Sequence, residues 1–227
     1  MTDFSVRTED QLSRQIHPAL FNTAKDGSGT WYVPLLDSDG QVIISPLALS
    51  AGTARIGTVS GVLKQVITTK AIDASLGAYA VGDVVNDDDC STTATCWTFA
   101  DVARVDGGYG YIVDATIFSD SEGIVPELTL LLFNATPTGQ LTDNSANSNP
   151  DPADRLKWVG YIEFPAMEGF CCSASVALVS PSTVGHLPLA FKCAAADTSL
   201  YGVLYTKTAF TQVATDDITI ALLVEQY

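Results

Sequence analysis

From about residue 71 to its end, the sequence is built of short apolar segments separated by turn residues. This pattern constrains the fold more than any other feature. The segments are AYAVGDVV (78–85), TCWTFADVAR (95–104), GYIVDATIFS (110–119), ELTLLLFN (127–134), LKWVGYIEF (156–164), SASVALVS (173–180), LPLAFKCA (187–194), LYGVLYTKTAF (200–210) and DITIALLVEQY (217–227). Between them lie NDDD, DGGYG, SDSEG, PTG, SPSTVG, AADTS and ATDD. Recurring strands with Gly/Asp/Ser/Pro turns at this spacing predict an all-β, two-sheet β-sandwich with a jelly-roll-like body.

The period-2 faces say which side of each strand is core. Ile218, Ile220, Leu222 and Val224 alternate with Thr219, Ala221, Leu223 and Glu225, and Leu187, Leu189, Phe191 and Cys193 share another face. Leu128–Phe133 is apolar on both faces, which predicts a central strand or a subunit contact. One long polar connection, TGQLTDNSANSNPDPADR (138–155), interrupts the series. A loop of that length inside a compact β domain is expected to be functional or disordered.

Residues 1–70 read differently and are expected to form an N-terminal arm. TEDQLSRQI (8–16) carries a capping Thr8 and helix-spaced Leu12 and Ile16. TWYVPLL and QVIIS, joined by Asp37-Ser38-Asp39-Gly40, predict a β-hairpin. A lone hairpin is marginal in water. Its Trp31, Tyr32, Val33, Leu35 and Leu36 are therefore expected to cover a partner surface. PLALSAGTARIGTVSG (46–61) reads as an extended linker, and VLKQVITT as a strand leading into the body. The body is assigned to residues 71–227.

Charge follows the same division. The formal net charge is −15. Residues 1–70 hold six acids and six bases, so the whole of it falls on residues 71–227, where 20 acids face five bases. Such a body repels phosphate backbones, and no nucleic-acid partner is expected. Only 16% of residues are charged, against about 25% in an average globular chain, which suits strands with neutral polar outer faces. No apolar run reaches the ~18–20 residues of a membrane helix, so no membrane partner is expected. The N-terminus lacks the apolar core of a secretory signal, and five cysteines is an odd number. Together these predict thiols made in a reducing cytoplasm. Cys90 and Cys96 are close enough in sequence to close a small loop on oxidation.

Chemical sites are sparse, and neither a catalytic residue nor a cofactor is predicted. His17 and His186 are the only imidazoles, neither has a nucleophile motif beside it, and GTVSG (57–61) has the wrong spacing for a nucleophile elbow. The cysteines show no zinc spacing; Cys193 and one of Cys171 and Cys172 read as small core residues. Asp87, Asp88 and Asp89 are the one metal candidate, for calcium. Three consecutive aspartates in extended chain alternate in direction and cannot all face one ion, so a solvated loop that discourages edge pairing is the competing reading.

The ordered set AYAVGDVV (78–85), GGYGYIVDATIFSDS (107–121), LTLLLFNATPTG (128–139), ADRLKWVGYIEFP (153–165), LAFKCAAADTSLYGVLYTKTAF (189–210) and ITIALLVEQY (218–227) resembles tailed-bacteriophage virion structural proteins. The resemblance covers about two thirds of the chain and rests on packing and turn motifs. It implies a non-enzymatic capsid decoration, or cement, protein. Such a protein binds the major capsid protein shell, commonly as a homotrimer on the capsid surface, and is assembled in the host cytoplasm. The alternative is a tail, baseplate or fibre-associated sandwich that recognises host surface glycan through the 138–155 loop.

Overall fold

The computed structural model describes residues 62–87, 95–170, 173–182, 186–212 and 215–227. The predicted arm and hairpin upstream of Val62 lie outside the described residues, with Trp31, Tyr32, Val33, Leu35, Leu36 and His17. So do Asp88, Asp89, Cys90, Cys171 and Cys172.

Among the described residues twelve strands run in chain order: β1 (Val62–Ile72), β2 (Ala78–Tyr79), β3 (Trp97–Phe99), β4 (Tyr109–Ser119), β5 (Leu128–Phe133), β6 (Trp158–Phe164), β7 (Glu168–Phe170), β8 (Ala174–Val179), β9 (Leu189–Lys192), β10 (Leu200–Thr206), β11 (Phe210–Thr211) and β12 (Asp216–Gln226). One large sheet has the order β1-β12-β4-β8-β7, with β9 also paired to β4, a second has β3-β10-β5-β6, and β2 and β11 form a small two-stranded sheet. All pairings are antiparallel. β8 and β9 both lie on β4, against its Ala115–Ser119 and Tyr109–Ile112 halves, and act as one broken strand. Counted so, and without the short β2, β7 and β11, eight strands alternate between sheets as 1-8-3-6 and 2-7-4-5. This is the jelly-roll order, which the sequence pattern anticipates. The first strand begins at Val62, upstream of the residue-71 boundary drawn from the sequence. Its whole length pairs with the C-terminal strand, Val62 opposite Gln226 and Ile72 opposite Asp216.

The core follows the alternation. Val66 and Ile72 of β1, Ile218, Ile220, Leu222 and Val224 of β12, Ile112 and Ile117 of β4, and Leu128, Leu130 and Leu132 of β5 close on one another between the sheets. Trp97 and Phe99 of β3 fill one end, and Gly202 makes room for them. A Cβ at Gly202 would stand 2.8 Å from Leu130 Cδ1 and 3.2 Å from Trp97 Cβ. β5 is central in its sheet, as one reading of its two apolar faces requires. Its second face, with Leu131 and Phe133, packs with Val84 and Val203 and is flanked by Leu141, Tyr161 and Tyr205. The chain's own 83–86 and 138–149 segments therefore contribute to the cover of that face.

The 138–155 connection is a packed structural loop. Asp143, Asn149 and Asp154 are buried within it. Asp143 accepts hydrogen bonds from the Tyr79 hydroxyl (2.7 Å) and the Asn86 amide (2.8 Å). The Asn86 side chain donates to Leu141 O (2.6 Å) and Thr95 O (3.0 Å). Asp154 accepts from Thr138 N (2.7 Å) and pairs with Lys157 (2.8 Å). Length and polarity match a mobile loop, but the buried Asp143 and Asp154 carboxylates have built partners and the Asn149 side-chain NH₂ donates to Gln140 O (2.7 Å).

Candidate interaction surface

The acidic stretch comes first, because the sequence makes it the metal candidate. Asp87 Oδ1 lies 2.6 Å from Lys70 Nζ. That ammonium also donates to Asn86 Oδ1 (2.6 Å) and Thr95 O (2.7 Å), and stands 5.7 Å from the centre of the Trp97 ring. Lys70 points inward from β1 and is buried, so its charge needs a counter-ion. Asp87 supplies it. The expectation of a purely solvated run therefore does not hold at this residue: the Asp87 carboxylate holds a buried lysine. Among the described residues no group of three or more His, Cys, Asp or Glu side chains is placed to hold a metal ion.

Three side chains of β1 tie the open side of the sandwich together. Lys64 donates to Asp101 O (2.9 Å), Thr68 to Thr98 O (2.6 Å) and Lys70 to Thr95 O. β1 and β3 are edge strands of opposite sheets. These bonds occupy backbone carbonyls along and beside β3 that would otherwise be open to another strand.

The outer face of the β1-β12-β4-β8 sheet has the opposite character. Two adjacent cross-strand rows are Ile67–Ala221–Thr116–Leu178 and Thr69–Thr219–Phe118–Val176. Neither contains a charged residue. Ile67, Leu178 and Phe118 are 57%, 56% and 43% exposed, and Leu63 extends the apolar area at 60%. The charged residues nearest these rows on this face are acids, Asp114, Asp217, Glu225 and Glu168, and Lys192 lies farther off, opposite Tyr109. Partial burial pushes the Asp114 carboxyl above its ordinary range. Past Tyr111, the end of the sheet gathers three half-exposed tyrosines, with Tyr109 and Tyr111 both against Tyr227 (ring centres 6.0 and 6.2 Å apart).

A second feature lies at the opposite seam, where the edge strand β6 meets the end of β8. A cleft of about 350 Å³ is lined by Glu127, Glu163, Phe164, Pro165, Lys207 and the 178–182 segment. Glu163 bridges Lys207 (2.9 Å) and approaches His186 Nε2 (3.8 Å). The His186 ring packs on Tyr161, centres 4.3 Å apart. His186 is thus an exposed ring in an aromatic and carboxylate setting. The sequence offered no sign of this, because its neighbours come from another strand.

Of the cysteines, Cys96 and Cys193 are buried, Cys193 on the inner side as its alternation predicts. Burial pushes the Cys96 thiol up, and pushes Cys193 to about 11.

No family model and no curated protein matches the chain. Three solved structures with which it shares partial similarity are viral. A chain of the cyanophage Pam1 capsid asymmetric unit is 13% identical, with a TM-score of 0.32, and the match covers 82% of this chain and all of that one. Black queen cell virus gives 9% identity and a TM-score of 0.28, covering 88% and 83% of the two chains. Triatoma virus gives 11% and 0.20, covering 85% and 76%.

Proposed function

We propose that this chain is a non-enzymatic virion structural protein, a capsid decoration or cement protein that binds the major capsid shell and stabilises it. The observation that carries the reading is the uncharged outer face of the β1-β12-β4-β8 sheet. A chain with a net charge of −15 repels its own copies and other acidic proteins wherever its acids are exposed. Across β1, β12, β4 and β8 two rows are free of charge, with Ile67, Leu178 and Phe118 exposed, and make a surface suited to protein contact. Covering the exposed halves of four such side chains, Leu63 included, stabilises a contact by roughly 3–6 kcal/mol before ordering costs. Over many copies on a shell, that gain per contact is enough.

The resemblance of the body motifs to tailed-phage virion proteins supports the same reading, and with it assembly as a homotrimer on the capsid surface. The hairpin residues Trp31, Tyr32, Val33, Leu35 and Leu36 are assigned to the shell contact. Cryo-electron microscopy of the particle tests the proposal: density for this chain is expected on the head, over junctions between capsid subunits. Density on the tail or baseplate overturns it. Deleting residues 1–45 is expected to abolish shell binding and leave a folded body; a truncated body that still decorates shells removes the arm from the proposal.

A further inference from the structure

We propose that the cleft between β6 and the end of β8 is a binding site for a neutral saccharide. The inference rests on a contiguous strip of side chains that runs from the edge of the second core cluster to the cleft. Trp158, 36% exposed, stands 6.4 Å from Tyr161 between ring centres; Tyr161 lies 4.3 Å from His186; His186 lies 3.8 Å from Glu163; and Glu163 lies 2.9 Å from Lys207. Glu163 and Lys207 then line the cleft itself. Aromatic faces thus lead directly into a recess walled by a carboxylate and an ammonium.

Two further details mark the place as built. His186 is held at φ 58°, the left-handed region that a residue with a side chain rarely occupies. Thr129, opposite Glu163 on β5 and on the same sheet face, is 1% exposed, and its hydroxyl has no hydrogen-bond partner.

The chemistry selects the ligand class. A pyranose offers an apolar C–H face and a rim of hydroxyls that both donate and accept. The rings of Trp158 and Tyr161 suit the first. The Glu163 and Glu127 carboxylates, the Lys207 ammonium and the Ser180 hydroxyl suit the second. Two carboxylates against one ammonium leave the lining negative, which disfavours an anion. A volume of about 350 Å³ lies at the small end of the range for ligand sites. The tyrosines at Tyr109, Tyr111 and Tyr227 are the competing platform, but they belong to the other sheet, whereas Tyr161 adjoins the recess through His186 and Glu163. The 138–155 loop, where the sequence would place glycan recognition, spends its buried carboxylates on the chain's own groups.

The test is saturation-transfer NMR on the full chain with maltotriose, cellotriose, mannotriose and triacetylchitotriose. Each is used at about 10 mM, which reveals dissociation constants near 1 mM. At least one is expected to bind saturably. Tyr161→Ala and Glu163→Gln are expected to weaken that binding about tenfold or more, and Tyr111→Ala to leave it unchanged. Tyr161 also packs on the second core cluster, so Glu163→Gln, which keeps shape and packing, is the decisive variant. Silence from the whole panel overturns the proposal. So does binding that survives Glu163→Gln, or that is lost in Tyr111→Ala. Shell attachment is read separately on particles, so either proposal can fail without the other.

Discussion

Asp143 makes a pH signature that a single substitution should erase. Its carboxylate is 2% exposed, and burial, set against the bonds from Tyr79 and Asn86, pushes its pKa from 3.8 to about 6. An unfolded chain releases this proton near pH 4. Between about pH 4 and pH 6 the folded state therefore holds a proton that the unfolded state has lost. Stability from this group is fully present below the unfolded value and is lost as pH rises through about 6. The span is worth about 2–3 kcal/mol at 1.36 kcal/mol per tenfold, taking the lower figure for residual solvent near the group.

Asp143→Asn keeps the shape and removes the titration. Its carbonyl can still accept from the Asn86 amide, and its NH₂ can meet the Tyr79 hydroxyl oxygen. Urea denaturation of both proteins from pH 4 to pH 8 is the assay. The difference between them cancels the many other carboxylates. Relative to wild type, the variant should gain about 2–3 kcal/mol between pH 4 and pH 7, whatever its offset at pH 4. Parallel stability curves would refute the assignment of a raised pKa to Asp143.

Other outcomes follow from the same structure. Lys70→Met removes the donor from the buried Asn86 Oδ1 and from Thr95 O and leaves a half-exposed Asp87; thermal or urea unfolding should show a loss of about 1–2 kcal/mol. Gly202→Val drives two methyl groups toward Leu130 and Trp97 and should cost about 2–3 kcal/mol, with weakened near-ultraviolet tryptophan dichroism. Ile67→Lys should change the stability of the isolated chain by about 1 kcal/mol or less, yet weaken self-association or shell binding, as sedimentation and particle pull-down would show. Cys96 and Cys193 should resist a thiol reagent in the folded protein and react on unfolding, because each is buried and disfavours the thiolate.

The strands were legible because burial on one face writes a period of two into the sequence. Ile218 to Val224 and Leu187 to Cys193 show it, and the inner faces follow it. The two-faced apolarity of Leu128–Phe133 allowed a central strand or a subunit contact; β5 is central, and the identity of its cover was not legible. What stayed hidden is pairwise and long-range. Nothing near Lys70 in sequence says that it points inward and meets Asp87, 17 positions on. Nothing in the acid-rich 138–155 stretch separates Asp143, which bonds Tyr79 across 64 positions, from a solvated aspartate. Composition scores both as surface. The cleft was invisible for the same reason: Glu163, Lys207 and His186 come from three parts of the chain.

The placement of charge ties these elements into one argument. The body carries 20 acids, yet across β1, β12, β4 and β8 the two central rows of one sheet face carry none. An acidic surface that only had to stay soluble would gain by putting carboxylates at Thr69, Thr116 or Thr219. These are outward positions where a charge costs little. Instead they are neutral residues of high β-propensity, beside exposed Ile67, Leu178 and Phe118. The buried lysine at β1 and the side-chain bonds to the carbonyls along β3 act in the same direction, since they close one edge of the sandwich to indiscriminate strand pairing. Contact is thereby directed to a sheet face and away from that edge. A face contact between folded units can be repeated over a shell without exchanging strands, which is the physical requirement of a part that must assemble in many copies and remain a jelly roll.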